Sequence, residues 1–328
     1  MTQDKQVVLV TGAGSGIGRV IALSLSRAGH QVYASMRDLR QKNRERVDAL
    51  LQLARQENLS LDIIELDVLS EVGCQAAVSQ ILAEQGRLDV VVNNAGMLMV
   101  GLTEAFSVEQ VSHIIDTNAL SWLRINRAAL PSMRRQGHGL LMYVGSTTTC
   151  LHEPFLGPYI ASKVAGDAIA EIMGMEVRPM GIESVTLVPG AFTSGTEHFA
   201  HSQMPEHLAI EQQYGALPDR IAGLGERLNR IDAANGGALD VSAVGQAAID
   251  VLSMPRGQRP SRIVIDGQHK GTNVIDAVYH EKQVTFMRQM GLEDLSPPPP
   301  LQNTARADRE SVRSTGRPVR PAQTGSTK

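Results

Sequence analysis

The chain has 328 residues, 42% hydrophobic, 20% charged and 3% aromatic, with a formal net charge of −3 and two cysteines. That length builds a core that needs no covalent staples. Two cysteines cannot form a secreted disulfide framework, and the charge balance excludes the basic footprint of a nucleic-acid or acidic-membrane binder. No apolar run approaches the roughly 20 residues of a membrane helix. The start, MTQDKQVVLVTG, runs straight into a strand pattern. A cytoplasmic protein with no leader, no nucleic-acid partner and no membrane partner is expected.

Short β-branched runs then alternate with helical patterns. Val7–Val10, Gln31–Ala34, Ile63–Leu66, Val90–Asn93, Leu141–Val144, Val185–Val188 and Ile263–Ile265 read as strands, near-continuously apolar as strands buried on both faces are. Ile17–Ala28, Val47–Gln56 and Val72–Glu84 read as crossover helices. The alternation predicts an α/β fold, a doubly wound parallel sheet of about seven strands in a single domain. Ser107 and Gln110 form a capping box for a helix carrying Val111, Ile114 and Ile115, and Pro131 is expected to kink or end it.

The rhythm breaks between Ser194 and about Asn235, where helix-like pieces (His207–Gln213, Arg220–Leu228) occur without a strand. A helical lid insertion is expected there. After Ile265 a weak amphipathic helix places Ile275, Val278, Tyr279, Phe286 and Met290 near one face. From Ser296 the composition changes: Pro297–Pro300 reads as extended polyproline, and the remainder holds six Lys/Arg against two Asp/Glu with few large apolar residues. The expected layout is a catalytic domain over 1–270 with its lid at about 194–235, a helical extension over 271–295, and a disordered tail over 296–328.

Thr11-Gly12-Ala13-Gly14-Ser15-Gly16-Ile17-Gly18 follows the first strand and opens the first helix. Glycines let a backbone turn tightly against a diphosphate, and a helix N-terminus offers free N–H groups and the positive end of its dipole. The spacing is Gly-x-x-x-Gly-x-Gly, with Ile17 where the third glycine of GxGxxG falls. With Asn93-Asn94-Ala95-Gly96 and Tyr159-Ile160-Ala161-Ser162-Lys163, the ordered motif set resembles the short-chain dehydrogenase/reductases. The motifs cover residues 5 to 195, and the layout extends to about 267. The resemblance implies a Rossmann-type fold, a nicotinamide cofactor, and hydride transfer between an alcohol and a carbonyl.

Within that resemblance the carboxylate that selects NAD stands at Met36, which cannot bond two ribose hydroxyls; Arg37 follows, with a planar fork suited to a phosphate. NADP(H) is therefore favoured over NAD(H), with Asp38 able to pair with Arg37. Gly12, Ser15, Gly16, Ile17 and Gly18 are candidates for the diphosphate, and Asp67 and Val68 for the adenine. Asp67 also competes with Ser70 as a helix cap. Asn93, Ala95 and Gly96 at the end of the fourth strand are further cofactor candidates. So are Pro189, Gly190 and Thr193 near the carboxamide, although the usual threonine falls at Ser194.

Hydride addition to a carbonyl leaves charge on oxygen, which needs a proton donor and a stabiliser. Tyr159 is the acid implied; Lys163, one helical turn on, is expected together with a cationic nicotinamide ring to lower its pKa from about 10, and to grip the ribose. Ser146, just past the fifth strand, orients the carbonyl, with Thr147, Thr148 and Thr149 one slip away. Asn118 matches the helix asparagine where a backbone distortion maintains a water relay, with a locally satisfied side chain as the plainer reading. Tyr159 and Lys163 count among both the catalytic and the cofactor contacts.

The histidines show no metal-ligand spacing, so no metal is expected. Cys150 reads as a small buried hydrophobe, Met97, Met99, Met173 and Met175 as adaptable core, and His152 and Glu153 as pocket walls. The segment VYASMRD is similar to reductases of hydroxysteroids and retinoids, which favours an apolar alcohol or ketone. The resemblance implies a homodimer or homotetramer through the helices at about Ser107–Arg135 and Pro158–Arg178. Two alternatives stand beside this reading: an NAD-dependent dehydrogenase of the same family, and a non-catalytic NADP(H)-binding redox sensor.

Overall fold

The computed structural model describes residues 5–301. Seven strands form one parallel sheet: β1 (Val7–Val10), β2 (Gln31–Met36), β3 (Leu61–Glu65), β4 (Val90–Asn93), β5 (Gly139–Val144), β6 (Ile182–Pro189) and β7 (Arg262–Ile265), in the order β3-β2-β1-β4-β5-β6-β7. Each expected strand is present, and five begin or end one to three residues beyond the expected limits, where pairing with a neighbour carries the backbone on (Ser35↔Ile64, Gly139↔Ile182).

Two helical layers cover the sheet because alternate residues of a strand face opposite ways. Val8 and Val10 join the core beneath α1 (Gly16–Arg27), α2 (Arg44–Gln56) and α10 (Ser242–Ser253). Val7 and Leu9 join the core beneath α3 (Glu71–Gln85), α5 (Ser121–Gln136) and α6 (Gly157–Val177). The winding reverses between β1 and β4, which opens a crevice at their carboxyl ends, the place where such sheets receive ligands.

The expected capping box forms: Ser107 Oγ accepts from the Gln110 amide and the Gln110 side chain accepts from the Ser107 amide, starting α4 (Val108–Ile115). A π-helical turn over Asp116–Leu120 then separates α4 from α5. Pro131 does not end the helix, which runs five residues past it to Gln136. The donor that proline lacks would have met the Arg127 carbonyl, and Arg127 stands on the exposed face of the helix.

The stretch between β6 and α10 holds α7 (Leu208–Glu211), α8 (Asp219–Ala222) and α9 (Leu224–Ala234). Its first part crosses the open end of the sheet, where Gln203 bridges Met99. The helix after β7 is α11 (Thr272–Gln289), but its face is not the expected one. Ile275, Val278, Tyr279, Phe286 and Met290 are all exposed, while Thr272, Asp276 and Met287 turn inward. The proline run lies along the free edge of β7, where the Ser261 amide donates to Pro299 O and the Leu301 amide to Arg262 O. The expected tail beyond that point falls outside the described residues. Among the described residues no helix is long and apolar enough to cross a membrane.

Candidate active site

The crevice is a cleft of about 670 Å³. Its floor is the glycine loop. Gly12 has φ +66° and Gly16 φ +53°, backbone that side chains disfavour. A Cβ on Gly12 would lie 2.8 Å from Ala95 Cα, so the β1 and β4 ends touch through bare backbone. Thr11 Oγ1 donates to Val92 O and accepts the Asn94 and Ala95 amides at 2.9 and 3.0 Å. Asn94 Nδ2 returns bonds to Thr11 O and Gly12 O. This staple presents the first turn of α1 to the cleft, and Gly12, Ser15, Gly16, Ile17 and Gly18 all line it. The bare cradle and the amide-bearing helix start fit a diphosphate.

Asp67, Val68, Ala95, Gly96, Pro189 and Gly190 also line the cleft. Asp67 is not the cap of α3: Ser70 accepts the Gly73 amide in that role, and Asp67 accepts the Leu69 amide. Two expected cofactor residues stand elsewhere. Asn93 is fully buried, and its Nδ2 donates to Asn126 Oδ1 and Met142 O, tying β4 to α5 and β5; the adjacent Asn94 is the one at the cleft. Thr193 turns its hydroxyl to Asn229 Oδ1 at 2.5 Å, away from the lining, and Thr196 takes the place at the wall.

At the end of β2, Met36 and Arg37 reach the cleft together with Lys42, Asn43 and Arg46. Asn43 Nδ2 donates to Arg37 O at 2.5 Å, while Arg46 Nη1 donates to Asn43 Oδ1 at 3.5 Å. Asp38 does not pair with Arg37; its carboxylate accepts the Gln41 amide. Three cations therefore gather at this corner. Lys42 and Arg46 sit in a charged run, QKNRER, whose pattern reads only as a solvated helix start.

At the other end Ser146, Tyr159 and Lys163 line the same cleft. Pro158 in the first turn starts α6, and the four-residue spacing puts Tyr159 and Lys163 on one face. Thr147 and Thr148 line the cleft beside Ser146, and Thr148 braces it: its Oγ1 donates to Ser146 Oγ at 2.9 Å and its amide to the same atom at 3.2 Å. Lys163 Nζ donates to Val144 O at 2.9 Å.

The acidified phenol expected from the sequence is not found in the protein alone. Burial raises the Tyr159 pKa to about 12, against a lowering by Ser146 and with a small push from Glu153. Burial likewise lowers Lys163 to about 8, with Asp167 opposing. Burial disfavours the charged form of both groups.

Asn118 lies behind this wall, inside the π-helical turn. Its side chain exchanges bonds with the Met97 backbone at 2.8 and 2.9 Å and donates to Ser162 Oγ at 2.9 Å. The side chain is thus satisfied locally, and the expected backbone distortion is present at that residue.

Residues the sequence did not single out complete the walls. Gln268 bonds both the amide and the carbonyl of Ala191 at 2.9 Å, and Asp232 Oδ1 at 2.5 Å, clamping the Pro189-Gly190 turn to α9. Lys270 pairs with Glu153 at 2.7 Å and donates to Thr147 Oγ1. His198 stands edge-on to Tyr159 with ring centroids 5.9 Å apart. Of the two pocket walls expected, Glu153 lines the cleft and His152 does not; Met97, expected in the core, lines it too. Cys150 is only half-buried, with Sγ 3.6 Å from Asp276 Oδ1. Among the described residues no cluster of three metal-ligating side chains occurs.

Residues 6–205 match the model of the short chain dehydrogenase family. The chain belongs to that family. Among curated relatives, this short-chain dehydrogenase is 35% identical over 190 residues to a 3-ketodihydrosphingosine reductase of Bacteroides thetaiotaomicron, covering 58% of this chain and 65% of the relative. It is 35% identical over 181 residues to human 17-beta-hydroxysteroid dehydrogenase type 1, covering 54% of each. The match thus spans just over half to two thirds of these relatives. Among solved structures, a short-chain dehydrogenase from Streptomyces avermitilis shares 26% identity at TM-score 0.69, covering 89% of this chain and 98% of that one. A variant of actinorhodin polyketide ketoreductase with NADPH shares 25% at TM-score 0.65, covering 80% and 96%. The fold is the nicotinamide-binding one of this family.

Proposed function

We propose that this short-chain dehydrogenase interconverts an alcohol and a carbonyl with NADP(H). The observation that carries the reading is the meeting, in one cleft, of the glycine cradle with Ser146, Tyr159 and Lys163. A bound nicotinamide supplies or takes the hydride. The chain's own residues handle the oxygen and its proton: Ser146 Oγ, oriented by Thr148, holds the substrate oxygen, and Tyr159 Oη donates a proton to it or takes one from it. Lys163, a cation on the same helical face, would favour the phenolate and would hold the ribose of a bound coenzyme.

The absence of a carboxylate at Met36 and the cations Arg37, Lys42 and Arg46 support NADP(H). The walls Met97, Leu98, Leu156 and Phe199 support an apolar substrate. That chemistry accords with relatives named for 3-ketodihydrosphingosine and a hydroxysteroid. We further propose a reducing, cytoplasmic setting, one catalytic domain with residues 194–235 as its lid, and association of copies into a dimer or tetramer through α4–α5 and α6.

Tyr159→Phe tests the chemistry. Coenzyme binding by fluorescence titration should survive while turnover falls below about one-thousandth; turnover near the wild-type level refutes the assignment. Arg37→Ala tests the cofactor, since the preference for NADPH over NADH in dissociation constants should shrink by about tenfold, the scale of one charge-assisted bond.

A further inference from the structure

We propose that Glu197 competes for the guanidinium that a 2′-phosphate takes, so that the 2′-phosphate of NADP(H) meets Arg46 and at the same time frees the segment resting on Tyr159. This inference builds on the NADP(H) reading above. Arg46 Nη2 donates to Glu197 Oε2 at 2.8 Å, joining the start of α2 to the excursion after β6 across 151 residues of chain. Arg46 stands at the corner where NAD and NADP differ. Its Cδ lies 3.7 Å from where a Cβ on Gly14 would be, beside Met36, and Asn43 links it to the Arg37 backbone. Of the nearby carboxylates, Asp38 is committed to the Gln41 amide, whereas Glu197 reaches across the cleft.

Three consecutive residues of the excursion touch three parts of the site. Thr196 approaches Gly16 of the phosphate loop, Glu197 holds Arg46, and His198 stands on Tyr159. A contact made at the adenosine corner therefore sets the position of a ring at the phenol. The Arg46–Glu197 pair is half-exposed on both sides, and such pairs are weak. A phosphate dianion offers the guanidinium two oxygens and more charge than a single carboxylate, so it displaces Glu197, whose remaining neighbour is His201 at 3.6 Å. NAD, with only hydroxyls at that position, leaves the pair intact. A ligand moves such an equilibrium only through its different affinity for the two arrangements, and here the difference resides in one phosphate.

Calorimetric titration of the full chain with adenosine 2′,5′-bisphosphate and with 5′-AMP tests this, since the two probes differ only in the 2′-phosphate. Glu197→Gln should tighten the bisphosphate about three- to fivefold and leave 5′-AMP unchanged. Arg46→Met should weaken the bisphosphate about tenfold, and Glu197→Gln should add nothing in that background. Amide hydrogen exchange over residues 194–203 should quicken when the bisphosphate binds the wild-type chain and stay unchanged with 5′-AMP. Equal affinities of the wild-type chain for the two probes would overturn the NADP(H) reading and this inference with it. A preference for the bisphosphate that Glu197→Gln does not alter, or a gain shared equally by 5′-AMP, overturns this inference and leaves the NADP(H) reading standing.

Discussion

Lys163 Nζ lies 5.9 Å from the centroid of the Tyr159 ring and donates its one hydrogen bond to the Val144 carbonyl. The two side chains share a helical face, yet the protein alone leaves the phenol neutral, with a pKa near 12, and the ammonium strained, with a pKa near 8. The cleft thus holds a buried amine whose charged form burial disfavours.

That cost has a sign and a pH window. The folded pKa lies below the ordinary 10.5, so the unfolded chain binds more protons between about pH 8 and 10.5. Stability rises with pH across that window by about 1.4 kcal/mol per unit, and the full penalty is present below pH 8. Lys163→Met removes the slope and the bond to Val144 O, a cost of about 0.5–1.5 kcal/mol. The stability of the Met variant relative to the wild-type chain should therefore be highest at pH 7 and fall by about 2–3 kcal/mol toward pH 10, read by urea denaturation at each pH. A difference that stays constant with pH would show that the amine is not buried as an ammonium.

Under the proposed mechanism Thr148 is a positioning residue, acting on the substrate oxygen through Ser146, whose Oγ accepts from its hydroxyl and its amide. Without its hydroxyl, Thr148 keeps only its amide on Ser146 Oγ. Ser146→Ala should lower kcat about a hundredfold, the scale of one lost donor to the reacting oxygen. Thr148→Val should lower it about five- to twentyfold with coenzyme KM unchanged. In the Ser146→Ala background, Thr148→Val should have no further effect, because the two act as one unit. Additive losses would mean that Thr148 acts on the substrate directly.

Asn93 and Asn94 are neighbours with opposite duties. Asn93→Ala removes the bond to Asn126 and leaves buried groups unpaired, so it should destabilise the fold by about 2–3 kcal/mol while the folded protein binds NADPH within twofold of wild type. Asn94→Ala releases the Thr11 and Gly12 carbonyls and should weaken NADPH binding about tenfold with a smaller loss of stability. Denaturation and fluorescence titration of both variants separate the pair, and the reverse pattern would exchange their roles.

The contrast shows what the sequence makes legible. The sheet could be read because strands buried on both faces are runs of Val, Ile and Leu, and the glycine loop because Gly12 and Gly16 hold a backbone that side chains disfavour. Tyr159 and Lys163 could be placed together because four residues make one helical turn. Asn93 was misplaced because a strand-end residue one position along faces the other way. The outward face of α11 was hidden for the opposite reason: periodicity gives a stripe but not the side of the helix that packs. Arg46, Glu197, His198 and Gln268 were unreadable because their partners lie between 36 and 151 residues away or across a cleft.

His198 gives the segment over Tyr159 a second sensitivity. Burial, aided by the nearby Lys163 ammonium, lowers its pKa to about 4. Tyr159 and Lys163 face it from α6, and the Glu197 carboxylate beside it is held by Arg46. The docked ring is therefore neutral, and a ring released to solvent titrates near its ordinary 6.5. Docking is fully favoured above pH 6.5 and weakens as pH falls toward 4, by up to about 1.4 kcal/mol per unit. Hydrogen exchange over residues 194–203, corrected for its intrinsic pH dependence, should show protection falling about tenfold or less between pH 6.5 and 5.5. His198→Phe keeps an aromatic edge on Tyr159 without a titrating group and should abolish that fall. If the Phe variant loses protection over the same range as the wild-type chain, another group controls the segment.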